Sequence, residues 1–296
     1  MIDIHLFGIT TPTGKYIERI FKNKSEEYNI IGYSRSDKMY KSINFEEKNL
    51  FIYSNKSILI SCAPIWDFAN FINNSYKKNT NLLKKINSMI ICSSSSVITK
   101  KFAFNEFDKE LVKKLELSEN KLLDICKNLD IKCFIVRPTM IYGSIDGYHD
   151  KNISLIVKIM RLMPFIFIPK NTGLRQPIHA LQLAKVIYFI TSFYALNKEN
   201  SIASKVFNIG GDEELTYKKL ILRLKDSFPR KDPINNCYIA ELPITIFILL
   251  LIPLSIFSPK LFELFLRMKS NLSGFLKASI LIKQNPKKFP AKPICK

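Results

Sequence analysis

Short apolar runs alternate with longer segments of mixed polarity along the first half of the chain. The runs at 2–7, 28–33, 57–62, 89–92 and 132–136 are apolar and rich in β-branched residues, as strands buried on both faces are. Between them, 15–24, 66–85 and 107–128 read as helices. Strand and helix in this alternation predict right-handed crossovers and a parallel, doubly wound sheet covered on both faces, the α/β class. After Arg137 the alternation loosens into helices at 153–162 and 181–194, a short strand at 205–209 ending on Gly210-Gly211, and an amphipathic helix at 216–228 capped by Thr216. The pattern predicts a dinucleotide-binding domain over 1–150 and a smaller substrate lobe over 151–296, closing a cleft at the carboxyl ends of the strands.

The run 242–257 has no charge over sixteen residues, with Pro243 at its start and Pro253 inside. It falls short of the ~20 residues that span a bilayer. It predicts either a buried or interfacial helix pair broken at Pro253, or a hydrophobic surface in contact with a membrane. From Lys260 onward nine basic residues face a single acid, Glu263, a tail suited to peripheral contact with anionic lipid.

The chain carries 45 Lys plus Arg against 25 Asp plus Glu, a formal charge of +20. Lysine supplies 37 of those cations, whereas nucleic-acid readers favour Arg forks on a basic stripe; nucleic acid is not the expected partner. An apolar content of 47% excludes disorder. The six cysteines, Cys62, Cys92, Cys126, Cys133, Cys237 and Cys295, show no CxxC or CxxH spacing, which predicts reduced thiols in a cytoplasmic protein, placed at the inner face of the membrane if the tail engages lipid. His5, His149 and His179 lie far apart without metal-ligand spacing, so no metal centre is expected.

Candidate chemistry gathers at the ends of the apolar runs. The first ends in Gly8-Ile9-Thr10-Thr11-Pro12-Thr13-Gly14 and leads directly into a helix. A glycine at the strand end allows a tight turn, a second lets the helix pack close, and the helix amino terminus presents N–H groups to a pyrophosphate. The second run ends in Ser34-Arg35-Ser36; where NAD sites carry Asp or Glu, Ser and Arg suit the 2′-phosphate of NADP. The fourth leads into four serines, Ser93 to Ser96, and the fifth into Arg137-Pro138-Thr139-Met140-Ile141-Tyr142-Gly143.

In that order these motifs resemble the extended short-chain dehydrogenase/reductase superfamily, and within it the NAD(P)-dependent nucleotide-sugar epimerases, dehydratases and reductases. Ser93-Ser94-Ser95-Ser96-Val97-Ile98-Thr99-Lys100, Asn152-Ile153-Ser154 and Gly173-Leu174-Arg175-Gln176-Pro177-Ile178-His179-Ala180 are similar to a bacterial branch associated with surface-polysaccharide synthesis. The likeness covers residues 1 to about 230. It implies a Rossmann-like sheet with a substrate lobe, an NADP or NAD cofactor, and hydride transfer at C4 of a nucleotide-linked sugar, as reduction or epimerisation. It further implies Gly8, Thr10 and Gly14 at the pyrophosphate, Arg35 at the 2′-phosphate, and Ala63 and Pro64 beside the cofactor. Pro138, Thr139 and Tyr142 would border the nicotinamide, Ser94 would be the catalytic hydroxyl, and Asn152 and Arg175 would hold the substrate diphosphate.

The chain also departs from that pattern. Thr11 replaces the middle glycine of the turn, where its side chain is expected to crowd the pyrophosphate. Glu119 stands eighteen residues before Arg137, as the family's glutamate does, and this register puts Leu111 and Leu115 in the places of the family's Tyr-x-x-x-Lys pair. Without the tyrosine a proton-transfer contribution of ~10² to 10⁴ is lost, so another group substitutes or catalysis is absent. His179, with an ordinary pKa near ~6.5, is the leading substitute, acting through Ser94; Lys100, Lys101 and Tyr142 are the others. The alternative is a non-catalytic dinucleotide-binding protein that serves as a structural or membrane-peripheral assembly module.

Overall fold

The computed structural model describes residues 1–35, 37–45, 57–103, 105–197, 202–257, 265 and 267–294. Six strands come from the first half: β1 (Ile2–Phe7), β2 (Tyr28–Ser34), β3 (Lys41–Ser42), β4 (Ser57–Ser61), β5 (Ile86–Cys92) and β6 (Lys132–Pro138). β7 (Ser204–Gly210) and β8 (Leu276–Lys277) return from the second half. All eight are parallel and lie in the order β8-β7-β6-β5-β4-β1-β2-β3. β1 pairs with β2 on one side and β4 on the other, Leu6 opposite both Gly32 and Ile60, so the winding reverses between β1 and β4. The chain thus crosses residue 150 and comes back to the sheet twice.

Helices cover both faces. On one, α1 (Pro12–Lys22) and α5 (Ala180–Ile190) bury Ile17, Phe21 and Ile187 against Ile4, Leu6 and Ile60. On the other, α2 (Ile65–Lys78) and α3 (Glu106–Asn128) bury Phe68, Phe71 and Leu122 against Phe7, Leu59 and Ile91. The expected helix at 66–85 is two, α2 ending at Lys78 and a short turn Thr80–Leu83 following. That at 181–194 is α-helical only to Ile190, then forms one π turn, Thr191–Ala195.

The lobe has its own core, in which α4 (Ile153–Leu162), α6 (Tyr217–Asp226) and α7 (Ile244–Phe257) bury Val157, Leu220, Leu224, Phe247 and Leu251. Short ladders tie it together: Phe165–Pro169 with Tyr238–Leu242, Leu174–Arg175 with Leu215–Thr216, and Ile141–Tyr142 with Ile178–His179. Two corrections concern the uncharged run. It is one helix, continuous through Pro253 rather than broken there, and most of its described side chains are exposed rather than buried. A proline removes the hydrogen bond to the carbonyl four residues earlier; that residue is Leu249, 66% exposed, so water can take the carbonyl. The basic tail, where described, is strapped over the junction of lobe and sheet; Lys260, Glu263, Cys295 and Lys296 lie outside the described residues, as does Ser36.

Candidate functional site

The glycine turn sits where the winding reverses. Gly8 has φ +73°, and a Cβ there would lie 2.5 Å from the Ala63 nitrogen; one on Gly14 would lie 2.4 Å from the Gly8 oxygen. Only glycine allows both approaches. The Thr11 side chain does not crowd the cleft. It turns inward to cap α1, its Oγ1 accepting from Gly14 N–H at 3.0 Å and donating to the Gly8 carbonyl at 2.9 Å. The amide of Gly14 is therefore engaged by Thr11, the amide of Thr11 by Gly8, and Pro12 has none. Gly8, Ile9, Thr10 and Thr13 carry the turn's other N–H groups.

At the end of β2, Arg35 is largely exposed and 3.8 Å from Asp67 in the first turn of α2. The nearby Asp37 carboxylate accepts a 2.6 Å hydrogen bond from Tyr148, which holds it below the usual carboxylate range. Buried Lys15, directly after the glycine turn, donates to Glu18 and to the Tyr40 hydroxyl. These bonds fix the outer wall of α1 to the end of β2.

Three further strand ends lie on the same edge of the sheet, those of β4, β5 and β6. Ala63 and Pro64 follow β4 against Gly8. The serine turn after β5 is bound to β6, the Ser93 amide donating to Val136 and the Ser95 amide to Pro138. Ser94 Oγ donates to Ser96 Oγ at 3.0 Å and accepts from the Ser96 amide at 3.1 Å. Ser93 donates to buried Glu119, which also holds Arg137 through both carboxylate oxygens. The neighbouring Leu115 is buried in the α2–α3 core and Leu111 packs against it. Lys100 is drawn to Asp108 at 2.5 Å, and Asp108 also accepts from Arg267 at 2.6 Å.

The other predicted residues lie across the junction with the lobe, and the carboxyl-terminal segment engages most of them. Arg175 is buried and donates to the carbonyls of Leu174, Ser270 and Arg267. Tyr142 is buried; its hydroxyl accepts from Ala291 N–H at 2.9 Å, and burial pushes its pKa up. His179 caps α5, its Nδ1 accepting from Leu181 N–H at 3.1 Å, while Nε2 lies 3.1 Å from the Pro293 carbonyl. Burial lowers its pKa, and both of its ring nitrogens are engaged. Thr139 donates to the Gln176 carbonyl. Asn152 is exposed at the start of α4, where Asp150 does the capping by accepting from Asn152, Ile153 and Ser154 N–H.

Sequence reasoning missed two features. Buried Asp212 accepts from Gln182, Ser279 and Lys287 and so latches the tail; the acidic run after Gly210-Gly211 was its only visible signal. Cys62 and Cys92, ending adjacent strands, bring their sulfurs to 3.7 Å beside the glycine turn. Contact with Cys92, with burial, pushes the Cys62 thiol up, keeping it protonated.

No family model and no curated protein matches the chain. Solved structures do. UDP-glucuronic acid 4-epimerase from Bacillus cereus in complex with NAD is similar at TM-score 0.63 and 15% identity, over 97% of this chain and 94% of that one. dTDP-glucose 4,6-dehydratase from Bacillus anthracis in complex with NAD aligns at TM-score 0.60 and 13% identity, over 97% and 92%. RMD from Pseudomonas aeruginosa, complexed with NADPH, aligns at TM-score 0.56 and 10% identity, over 81% and 85%. At these identities the likeness is one of fold, and the fold is the doubly wound, Rossmann-like α/β sheet that the sequence pattern implied.

Proposed function

We propose that the protein binds a nicotinamide dinucleotide across the Gly8–Gly14 turn, NADP(H) in preference to NAD(H), and acts on a nucleotide-linked sugar by hydride transfer at C4, in surface-polysaccharide synthesis. The observation that carries this reading is the glycine turn at the reversal point between β1 and β4, with Ala63 and the serine turn beside it, on a fold shared with nucleotide-sugar epimerases and dehydratases. Doubly wound sheets bind ligands at that point. The dinucleotide, when bound, gives or takes the hydride.

The chain's own residues bind and orient. The amides of Ile9, Thr10 and Thr13 and the amino terminus of α1 meet the pyrophosphate. Arg35 reaches the 2′-phosphate with little to give up, because its contact with Asp67 is long and exposed. Ala63, Pro64, Pro138 and Thr139 wall the cofactor. Ser94 hydrogen-bonds the reacting oxygen, and Asn152 meets a substrate phosphate. Arg175 joins it only by releasing the carbonyls of Ser270 and Arg267.

A specific observation favours a second reading, a non-catalytic dinucleotide-binding protein: Leu115 occupies the core, and the tail engages both Tyr142 and His179. Calorimetry with NADPH and NADH, followed by turnover assays on UDP-, dTDP- and GDP-linked sugars, separates the two. Binding with turnover supports the first reading, and binding without turnover on any sugar supports the second. Failure to bind either dinucleotide overturns both.

A further inference from the structure

The lobe exposes apolar surface that neither the sheet nor its own core uses. α7 is held by Phe247 and Leu251 alone among its fully buried described side chains, one helical turn apart, while Ile246, Leu249, Leu250 and Ile252 face outward. A helix apolar on every side belongs inside a core or in contact with lipid, and this one is not inside a core. α4 carries an exposed apolar stripe of its own, Leu155, Ile159 and Leu162, spaced to share one face. The chain then passes through Met163 into the ladder Phe165–Pro169, paired with Tyr238–Leu242, from which α7 follows. In that ladder Phe165 stands opposite Tyr238, so Phe165, Phe167 and Tyr238 share an exposed face.

Charge surrounds this surface with one sign left over. Residues 153–170 and 228–252 contain five cations and two acids. Both acids are already paired, Asp232 with Arg161 and Glu241 with Lys218. Lys158, Lys170, Arg230 and Lys231 are exposed and have no ion pair among the described residues. A second copy of the chain docked face to face would set these cations against their own kind. An anionic lipid surface would neutralise them, take the apolar side chains into its acyl boundary, and seat Tyr238 and the two phenylalanines at headgroup depth, where aromatic rings are favoured.

We propose that the lobe is a monotopic membrane-docking surface, in which α7, the outer face of α4 and the Phe165–Tyr238 ladder lie in the headgroup layer of an anionic bilayer. At 1.5 Å per residue the fourteen residues of α7 extend about 21 Å, less than the ~30 Å hydrocarbon core, and no helix among the described residues is long and apolar enough to cross a membrane. The helix therefore lies along the surface. This inference stands on the lobe alone and is independent of what the glycine turn binds.

Flotation with vesicles of phosphatidylcholine plus phosphatidylglycerol, against pure phosphatidylcholine vesicles, tests it on the full chain. Recovery with the anionic vesicles should be about tenfold higher at low salt and fall as salt rises. Leu249→Glu and Ile159→Glu, both at exposed positions, should each abolish it with unchanged thermal unfolding. Leu117→Glu, equally exposed on α3, should leave it intact. Equal recovery of the wild type and Leu249→Glu, or no recovery on anionic vesicles, overturns the proposal. So does a dimer by analytical ultracentrifugation that Leu249→Glu dissociates, which would assign the surface to a second copy.

Discussion

Two halves of the sheet's carboxyl edge use similar residues in opposite ways. Around Gly8, the backbone makes the close approaches and Thr11 turns inward, so the turn retains N–H groups and Arg35 stays exposed. Around His179, the carboxyl-terminal segment supplies partners instead: Arg175 holds the carbonyls of Ser270 and Arg267, Tyr142 meets Ala291, and His179 meets Pro293. A guanidinium or imidazole of the right kind becomes a ligand group only when the fold leaves its hydrogen-bonding capacity unused. The first half meets that condition and the second does so only if the tail moves.

The largest expected effect tests the rigidity of the first half. Gly14→Ala puts a methyl 2.4 Å from one backbone atom and 2.8 Å from another; it should cost about 4 kcal/mol or prevent folding, read as thermal unfolding and loss of dinucleotide binding. A variant that folds and binds normally would break the claim that the turn is held by backbone contact.

Next comes acid sensitivity, which belongs to the same half. Burial lowers the His5 pKa to about 4 from its ordinary 6.5, with Asp3 opposing and Lys41 assisting. Its Nε2 has no partner, so an imidazolium there would bury an unmatched N–H. The unfolded chain binds the extra proton between those two values, so stability is complete above pH 6.5 and declines as pH falls through about 4, by about 3 kcal/mol in all. His5→Gln should flatten that decline in urea titrations across the same range. An unchanged slope would place the acid sensitivity elsewhere.

Releasing the tail tests the second half. Asp212→Ala leaves the amides of Ser279 and Lys287 and the Gln182 side chain without their acceptor, at a cost of about 2 kcal/mol. Proteolysis within 283–288 should accelerate while NADPH affinity holds. A matching loss of affinity would show that the two halves are coupled. In turnover assays His179→Gln should leave the pH profile unchanged, since both ring nitrogens are engaged; an ionisation near neutrality that disappears would identify it as the acid.

The smallest effects concern cofactor choice. Arg35→Ala should lower NADPH affinity by about 1.5 kcal/mol and NADH affinity little. Asp67→Asn should raise NADPH affinity by about 0.5 kcal/mol through loss of an exposed competing charge. Calorimetry showing equal NADPH and NADH affinity in the wild type would remove the preference.

The sequence by itself determined the alternating strands and helices of the first half and the glycine turn. Buried strands need consecutive apolar residues, helices need apolar residues at 3.6 spacing, and a turn needs glycine at its tight points; all three are local and leave a pattern in the chain. Tertiary structure alone decided that Thr11 turns inward, that the uncharged run stays one exposed helix, and that Arg175 and His179 face the tail. The partners of Arg175 lie 92 and 95 residues away and that of His179 lies 114 away. They are backbone carbonyls, which every residue carries, so no side-chain pattern announces them.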